Sequence, residues 1–424
     1  MAFRFVHSAD IHLDSPLRSL AFRNPSLGEL ISNATRQAFV RMVDLCIAEA
    51  VDALLLAGDL YDGDQTSMKT ARFFADQMHR LDAAGIRTFI LRGNHDALSK
   101  ITRELVLPES VTVFGGWASA IALERQGMRP DVVIHGLSFS QATAPDSLLP
   151  KYKAPVAGAV NIGMMHTSLG GAPGHDPYAP CSLAELDDSG FQYWALGHIH
   201  KRSENVGRCT VVMAGNPQGR DINEGGAKSV SLVTVADDGA IAVETRNVSL
   251  AQFERLDVDI SGLTDWRDLI GAIGVPLRDL RREVMTEHLI VRLRIVGKSD
   301  LAWQIRRDVD VLQAEVDAQA DLVGRTWLEK IELEIAPAIA EDGEATDTIG
   351  ELRRLIGTQV RESAGFQNLV REQADDLLKA LPADIRGHFG GDEAGYFQLL
   401  DRLLVEGTDD VLARLQGQGH EADT

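Results

Sequence analysis

Ala53-Leu54-Leu55-Leu56-Ala57-Gly58-Asp59 is a run of five apolar residues that stops at a glycine and a carboxylate. A run without polar alternation is what a strand buried on both faces looks like, and five residues are too few for a buried helix. Five further runs end the same way. Phe3 to Val6 stops at His7-Ser-Ala-Asp-Ile-His12, and Thr88 to Leu91 at Arg92-Gly-Asn-His-Asp96. Val132 to Ile134 stops at His135-Gly136, Val160 to Met165 at His166-Thr167, and Tyr193 to Leu196 at Gly197-His-Ile-His200. Between the first three runs the apolar spacing is helical, over Thr35 to Ala50 and Met68 to Ala84. Strand, helix, strand alternation predicts parallel βαβ units. Cys209 to Ala214, Ser229 to Val235 and Ile241 to Arg246 have no helix between them and read as antiparallel strands, with Asp238-Gly239 as a hairpin turn. The fold class is α/β, with a mixed sheet.

The chain has 424 residues, too many for one ordinary core, so two or three units are expected. With 45% apolar, 25% charged and 6% aromatic residues the composition is that of a globular protein, which excludes collagen-like structure and wholesale disorder. No membrane span or export signal is visible, and Cys46, Cys181 and Cys209 are scattered without CxxC spacing. Neither a disulfide framework nor a thiolate zinc site is suggested, and a cytoplasmic protein without membrane association is expected. The net charge of −20 argues against a non-specific DNA-coating role. Residues 1–250 hold 22 basic and 27 acidic groups, residues 251–424 hold 20 and 35, so the acidity sits late in the chain. Histidine is distributed the other way, nine of the twelve falling within the first 200 residues. Metal chemistry is therefore sought there.

Five units follow from the pattern: 1–255 with the polar-ended strands, 256–336, a linker at 337–345, helices over 346–416, and a disordered tail at 417–424. The second reads as βαβαβ: strand Leu256 to Ile260, helix Asp265 to Ile273, strand His288 to Val296, amphipathic helix Leu301 to Leu322, strand Trp327 to Ile335. Ala336 to Ala345 is rich in Pro, Gly and acid. Beyond it Ile349, Leu352, Leu355, Ile356 and Val360 form an apolar helical stripe that either docks a partner or packs back on the βαβαβ unit.

Parallel strands bring their C-terminal ends to one edge, which is where open α/β sheets place ligands. Asp10-x-His12 and His198-x-His200 each offer two donors on an extended segment. Asp59, beside Gly58, can bridge two ions; Asn94 adds an amide oxygen and His166 a further imidazole. This set of oxygen and nitrogen donors without thiolate suits Mn²⁺, Fe²⁺ or Zn²⁺. Two ions sharing a carboxylate sit about 3.5 to 4 Å apart, a spacing that clamps the attacking and leaving oxygens of a phosphoryl displacement.

Asp10-Ile-His12, Gly58-Asp-Leu-Tyr-Asp62, Gly93-Asn-His-Asp96, Met165-His166 and Gly197-His-Ile-His200 resemble, in order, the five motifs of the calcineurin-like metallophosphoesterases. Among these the chain is similar to the SbcD-type DNA repair exonucleases, specifically the YhaO-like branch. Phe5 to Pro16, Gly174 to Ser182 and Gly215-Asn-Pro-Gln-Gly-Arg220 single out that branch. The resemblance is specific over residues 1 to about 250. It implies a metallophosphoesterase mixed-sheet sandwich flanked by helices, then a small βαβαβ cap and C-terminal helices. It further implies two divalent ions, most readily Mn²⁺, with Asp10, His12, Asp59 and His200 on the first and Asp59, Asn94, His166 and His198 on the second. His95 would be the general acid, oriented by Asp96. Relatives carry a histidine three residues after the bridging Asp, where this chain has Asp62, so a second catalytic histidine is absent from that position.

The activity implied is a metal-dependent DNA exonuclease acting in DNA repair with an SMC-like ATPase of the SbcC or YhaN kind, as a possible homodimer, with DNA facing the cap. A small-molecule phosphodiesterase or phosphatase with the same site is the rival enzyme, and a scaffold with a structural metal site the rival outside catalysis. His175-Asp176 touches a phosphate or braces its loop; Arg220 contacts phosphate or braces the fold. His7 and His135 read as core histidines. Arg278, Arg281, Arg282, Arg292, Arg294, Lys298, Arg306 and Arg307 are the densest basic set, either a DNA-facing strip or solvated faces balanced by acids.

Overall fold

Each apolar run becomes a strand, and the strands form two six-stranded sheets. A computed structural model describes residues 2–15, 25–62, 67–96, 106–123, 131–139, 144–170, 178–338, 348–381 and 393–421. His175 and Asp176, and most of the expected linker, lie outside the described residues. The first sheet runs in the order β12 (Ile241–Arg246), β11 (Val230–Val235), β1 (Phe3–Ser8), β2 (Ala53–Ala57), β3 (Arg87–Leu91), β4 (Val111–Val113). The second runs β5 (Ser119–Leu123), β6 (Val132–Gly136), β7 (Val160–His166), β8 (Tyr193–Gly197), β10 (Thr210–Met213), β9 (Ser203–Val206). Strands β1 to β4 are parallel, as are β6, β7, β8 and β10; antiparallel strands lie only at the sheet margins.

Strand β2 is buried at all five positions because it has a core on each face. Leu54 and Leu56 point into a cluster with Phe39, Met42, Phe74 and Met78, on the helices Ala34–Ala48 and Met68–Ala83. Ala53 and Leu55 point into a second cluster with Phe5, Phe89, Ile134, Ile162 and Tyr193, where the two sheets meet. The far side of the second sheet packs Trp194, Leu196, Val211 and Met213 against Leu186 and Phe191. Four layers result: helix, sheet, sheet, helix.

One topological expectation is corrected. Thr210–Met213 is not an antiparallel neighbour of Val230–Val235; it lies parallel to β8 in the other sheet. The hairpin strand β9 reverses the chain and allows this. The β11–β12 hairpin does turn at Asp238-Gly239, with Gly239 at φ 84° donating to the Ala236 carbonyl.

A third sheet is ordered β13 (Ala251–Asp259), β14 (His288–Lys298), β15 (Thr326–Ala336). Its strands advance in the same direction: His288 donates to Leu250, Ile260 to Val296, Leu289 to Arg325 and Ser299 to Ala336. The connecting helices differ in length from expectation. The first, Trp266–Glu283, continues through Pro276 because Leu269, Ile273 and Leu277 keep one buried stripe. The second is broken at Asp308 into Ala302–Arg307 and Val309–Val323. The chain divides into two compact units, Met1–Arg255 with Leu280–Arg292 and Arg325–Glu329, and Leu256–Asp279 with Leu293–Gly324 and Lys330–Thr424.

In the second unit the long helix Glu393–Glu421 packs on Ala302–Arg307, burying Leu412 and Ala413. Asp409 pairs there with Arg306 and Arg353. The helices thus pack back on the βαβαβ unit, and residues 417–421, expected as tail, are helical. Leu369, Leu377, Leu403 and Val411 remain exposed. Among the described residues no helix is long and apolar enough to cross a membrane.

Candidate metal centre

The C-terminal ends of β1, β2, β3, β7 and β8 deliver Asp10, His12, Asp59, Asn94, His166, His198 and His200 to one edge. The turns that do so are strained. Asp10, His12, Asp59 and His198 have φ of 51°, 46°, 52° and 105°, in a region that costs a residue with a side chain about 1 kcal/mol or more. The loops after β1 and β2 hold each other in that conformation: Asp10 donates to the Gly58 carbonyl, His12 to Asp59 and Leu13 to Leu60. Two glycines make the room. A Cβ on Gly58 would lie 2.4 Å from His166 Nδ1, and one on Gly93 2.1 Å from Asp59 Oδ1.

Donor atoms of Asp10, His12 and His200 lie within 4.8 Å of one another, as do those of Asp59, His166 and His198. Asn94 joins the second group, its Oδ1 3.0 Å from His166 Nε2. The hydrogen bonds at the outer ring nitrogens decide what these groups can hold. His166 Nδ1 lies 2.9 Å from the Ala57 carbonyl, which only accepts, so Nδ1 carries a hydrogen and Nε2 faces the site. That Nε2 meets Asn94 Oδ1 and, at 3.3 Å, Asp59 Oδ2. His12 Nδ1 donates to Asp62 at 2.5 Å and His200 Nδ1 to Glu224 at 2.7 Å, leaving their two Nε2 atoms 3.1 Å apart. Each group is a convergence of electron pairs, which only a proton or a cation between them stabilises.

The electrostatics agree. Burial opposes charge on His166, but ionised Asp59 beside it holds the imidazole up to about 9. Burial works against His12 as well, and the bond to Asp62 leaves it raised. Asp59 is held below the usual carboxylate range, since His166 outweighs the cost of its burial. The residues fit two divalent ions by donor type and by this demand for positive charge.

His95 stands at the rim, its side chain 46% exposed. Its backbone N–H donates to Asp59 Oδ1 at 3.1 Å, and its ring packs edge-on against His12. Asp96 does not orient it, contrary to the expectation from sequence. The two Asp96 oxygens accept from the backbone N–H groups of Leu60 and Tyr61 at 2.8 and 2.9 Å, so Asp96 ties down the turn that presents Asp59. Burial, and then Asp59, push its carboxyl up to about 7. The carboxylate nearest His95 is Asp62, 3.9 Å from Nδ1.

Glu224 was not singled out from sequence. It lies four residues after Arg220 in a short 3-10 turn, where no periodicity marks it. It accepts from His200, Asn216 and Arg220. Arg220 therefore braces the site, spanning Glu224 and Asp62. His7 and His135 are core histidines, bonded to the Tyr193 hydroxyl and to Asn161. The basic set is largely neutralised: Arg292 pairs with Glu329, Arg294 with Asp257 and Glu334, Arg306 with Asp409 and Asp410, Arg307 with Asp308. Arg278 lines a groove of about 740 Å³ with Arg267, but Asp265 and Glu315 balance them there.

Comparison with known proteins agrees with the site. The calcineurin-like phosphoesterase model matches residues 3–202, and the middle domain of metallophosphoesterase YhaO matches residues 253–336. The chain is 33% identical over 283 residues to the uncharacterized metallophosphoesterase YhaO of Bacillus subtilis, covering 66% of this chain and 68% of that protein. It is 25% identical over 372 residues to the SbcD component of the nuclease SbcCD of Escherichia coli, covering 74% and 90%. It is 25% identical over 228 residues to the DNA double-strand break repair protein Mre11 of Sulfurisphaera tokodaii, covering 50% and 54%. Fold, site chemistry and sequence together place this chain in the calcineurin-like metallophosphoesterase family, with a YhaO-type middle domain.

Proposed function

We propose that this chain is a two-metal DNA exonuclease, hydrolysing DNA phosphodiester bonds in repair. The observation that carries the metal reading is the pair of imidazoles, His12 and His200, whose Nε2 atoms face each other at 3.1 Å with both Nδ1 atoms committed to carboxylates. Asp10, His12, Asp59 and His200 hold the first ion, and Asp59, Asn94, His166 and His198 the second, with Mn²⁺ as the metal. Bound there, two divalent ions supply Lewis acids that stabilise both the attacking and the leaving oxygen of an in-line displacement.

The chain's own groups supply the rest. Asp59 holds the His95 backbone, so the acid is fixed relative to the carboxylate shared by the ions. His95, exposed at the rim, donates a proton to the leaving oxygen, a task suited to imidazole near neutral pH. Support for DNA as substrate is the match to a nuclease component over 90% of its length, beyond the catalytic sheets. The same likeness supports an SMC-like ATPase partner of the SbcC or YhaN kind, a homodimer and a cytoplasmic setting. Hydrolysis of end-labelled linear DNA, of a nitrophenyl phosphodiester and of a nucleoside monophosphate, each with Mn²⁺ and with chelator, tests the proposal. DNA degradation that needs Mn²⁺ and starts at ends is expected; hydrolysis of the small esters alone favours the phosphodiesterase reading.

A further inference from the structure

We infer that Asp62 and Glu224, tied together by Arg220, are positioning residues that fix His12 and His200 in the Nδ1–H tautomer and so set the affinity of the first ion. The inference rests on the two-metal reading above and names the frame that the reading leaves unexplained. His12 and His200 come from turns 188 residues apart, after β1 and β8. Their rings are held from behind. Asp62 Oδ1 accepts from His12 Nδ1 at 2.5 Å, Glu224 Oε1 accepts from His200 Nδ1 at 2.7 Å, and Arg220 reaches both acids, at 2.7 Å to Glu224 and 3.7 Å to Asp62. Asn216 Nδ2 donates to the other Glu224 oxygen at 2.7 Å, which fixes the carboxylate plane.

The arrangement has a direct chemical consequence. A free neutral imidazole favours hydrogen on Nε2, the atom this site needs as a donor of electrons. A carboxylate behind Nδ1 reverses the preference, aims the ring and raises the basicity of Nε2. Asp62 stands where relatives of this chain carry a histidine, so here the first ion's environment gains a negative group in place of a second rim imidazole. Arg220 offsets that charge and stops the two acids from separating. The second group is aimed differently: behind His166 stands the Ala57 carbonyl, a neutral acceptor. The two ions should therefore respond differently to loss of the frame.

The test uses the full-length chain with two readouts. Nitrogen-15 NMR of the metal-free protein reads each ring's tautomer, and calorimetric titration with Mn²⁺ reads the two affinities. In Glu224→Ala, His200 should move to the Nε2–H form and one site should weaken 10- to 100-fold while the other is unchanged. Glu224→Gln, whose amide oxygen still accepts from Nδ1, should keep the tautomer. Asp62→Asn tests the other arm if Glu224→Ala does not fold: carbonyl acceptance should persist at His12 with affinity reduced. An unchanged His200 tautomer in Glu224→Ala, or equal weakening of both sites, overturns the inference. A wild-type protein that binds no Mn²⁺ sinks the two-metal reading instead, and the tautomer measurement still judges the frame.

Discussion

Acid should weaken this fold through His7, a residue outside the chemistry. His7 is fully buried at the end of β1, bonded through Nδ1 to the Tyr193 hydroxyl at 3.0 Å. Burial, only partly offset by a backbone bond at Leu196, pushes its imidazole from 6.5 down to about 3. The folded state therefore binds fewer protons than the unfolded one below pH 6.5. Stability from this group is fully present above 6.5 and is lost as pH falls toward 3. At pH 5 the unfolded imidazole is 1.5 units below its midpoint while the folded one is still neutral. At roughly 1.4 kcal/mol per unit, about 2 kcal/mol is lost between pH 8 and pH 5. Urea unfolding of wild type and His7→Gln at both pH values, in chelator, isolates the effect. The variant retains a polar group for Tyr193 but does not titrate, so its loss of stability between the two pH values should be smaller by about 2 kcal/mol. Equal losses in both proteins would refute the reasoning, because some other group would then carry the acid sensitivity.

Other outcomes follow from particular contacts. His95→Ala should retain both metal ions, measured by elemental analysis, and lose turnover by ~10² or more, since only its backbone touches Asp59. Asp59→Gly and Asp59→Ala should both lose metal, but the glycine variant should be the more stable by about 1 kcal/mol in urea, because φ at this position is 52°. Asp409→Ala should destabilise the second unit by about 3 kcal/mol, as it leaves Arg306, only 8% exposed, short of a partner; thermal unfolding reads this. Arg292→Ala should lower stability and leave the salt dependence of DNA binding unchanged, because Glu329 already neutralises that guanidinium.

What was legible in the sequence was local. Leu54, Leu55 and Leu56 announce a strand with a core on both faces, and a strand end carries its polar residues to the sheet edge whatever lies between. The expected ligands therefore converge although they come from five separate strand ends. What was hidden depends on pairing at a distance. Thr210–Met213 has the same apolar pattern whether it joins β8 or β11, and only the β9 hairpin decides. Asp96 follows His95 directly, yet its carboxylate turns away to Leu60 and Tyr61. Glu224 looks like any surface acid until the fold brings His200 and Arg220 to it. The arginines of the βαβαβ unit read as a basic strip because their acids, such as Glu329 and Asp409, lie 37 or more residues away in sequence. The helix break at Asp308 needs its φ and ψ to be seen.

The central claim is that two ions share Asp59, and counting metal tests it most directly. Full-length protein and its Asp59→Ala and His95→Ala variants, each dialysed with Mn²⁺, would be analysed for bound manganese per chain alongside cleavage of linear DNA. Two ions in wild type and in His95→Ala, near none in Asp59→Ala, and DNA cleavage only by wild type are expected. Full manganese occupancy in Asp59→Ala, or undiminished cleavage without metal, would contradict a shared carboxylate at the centre of the chemistry.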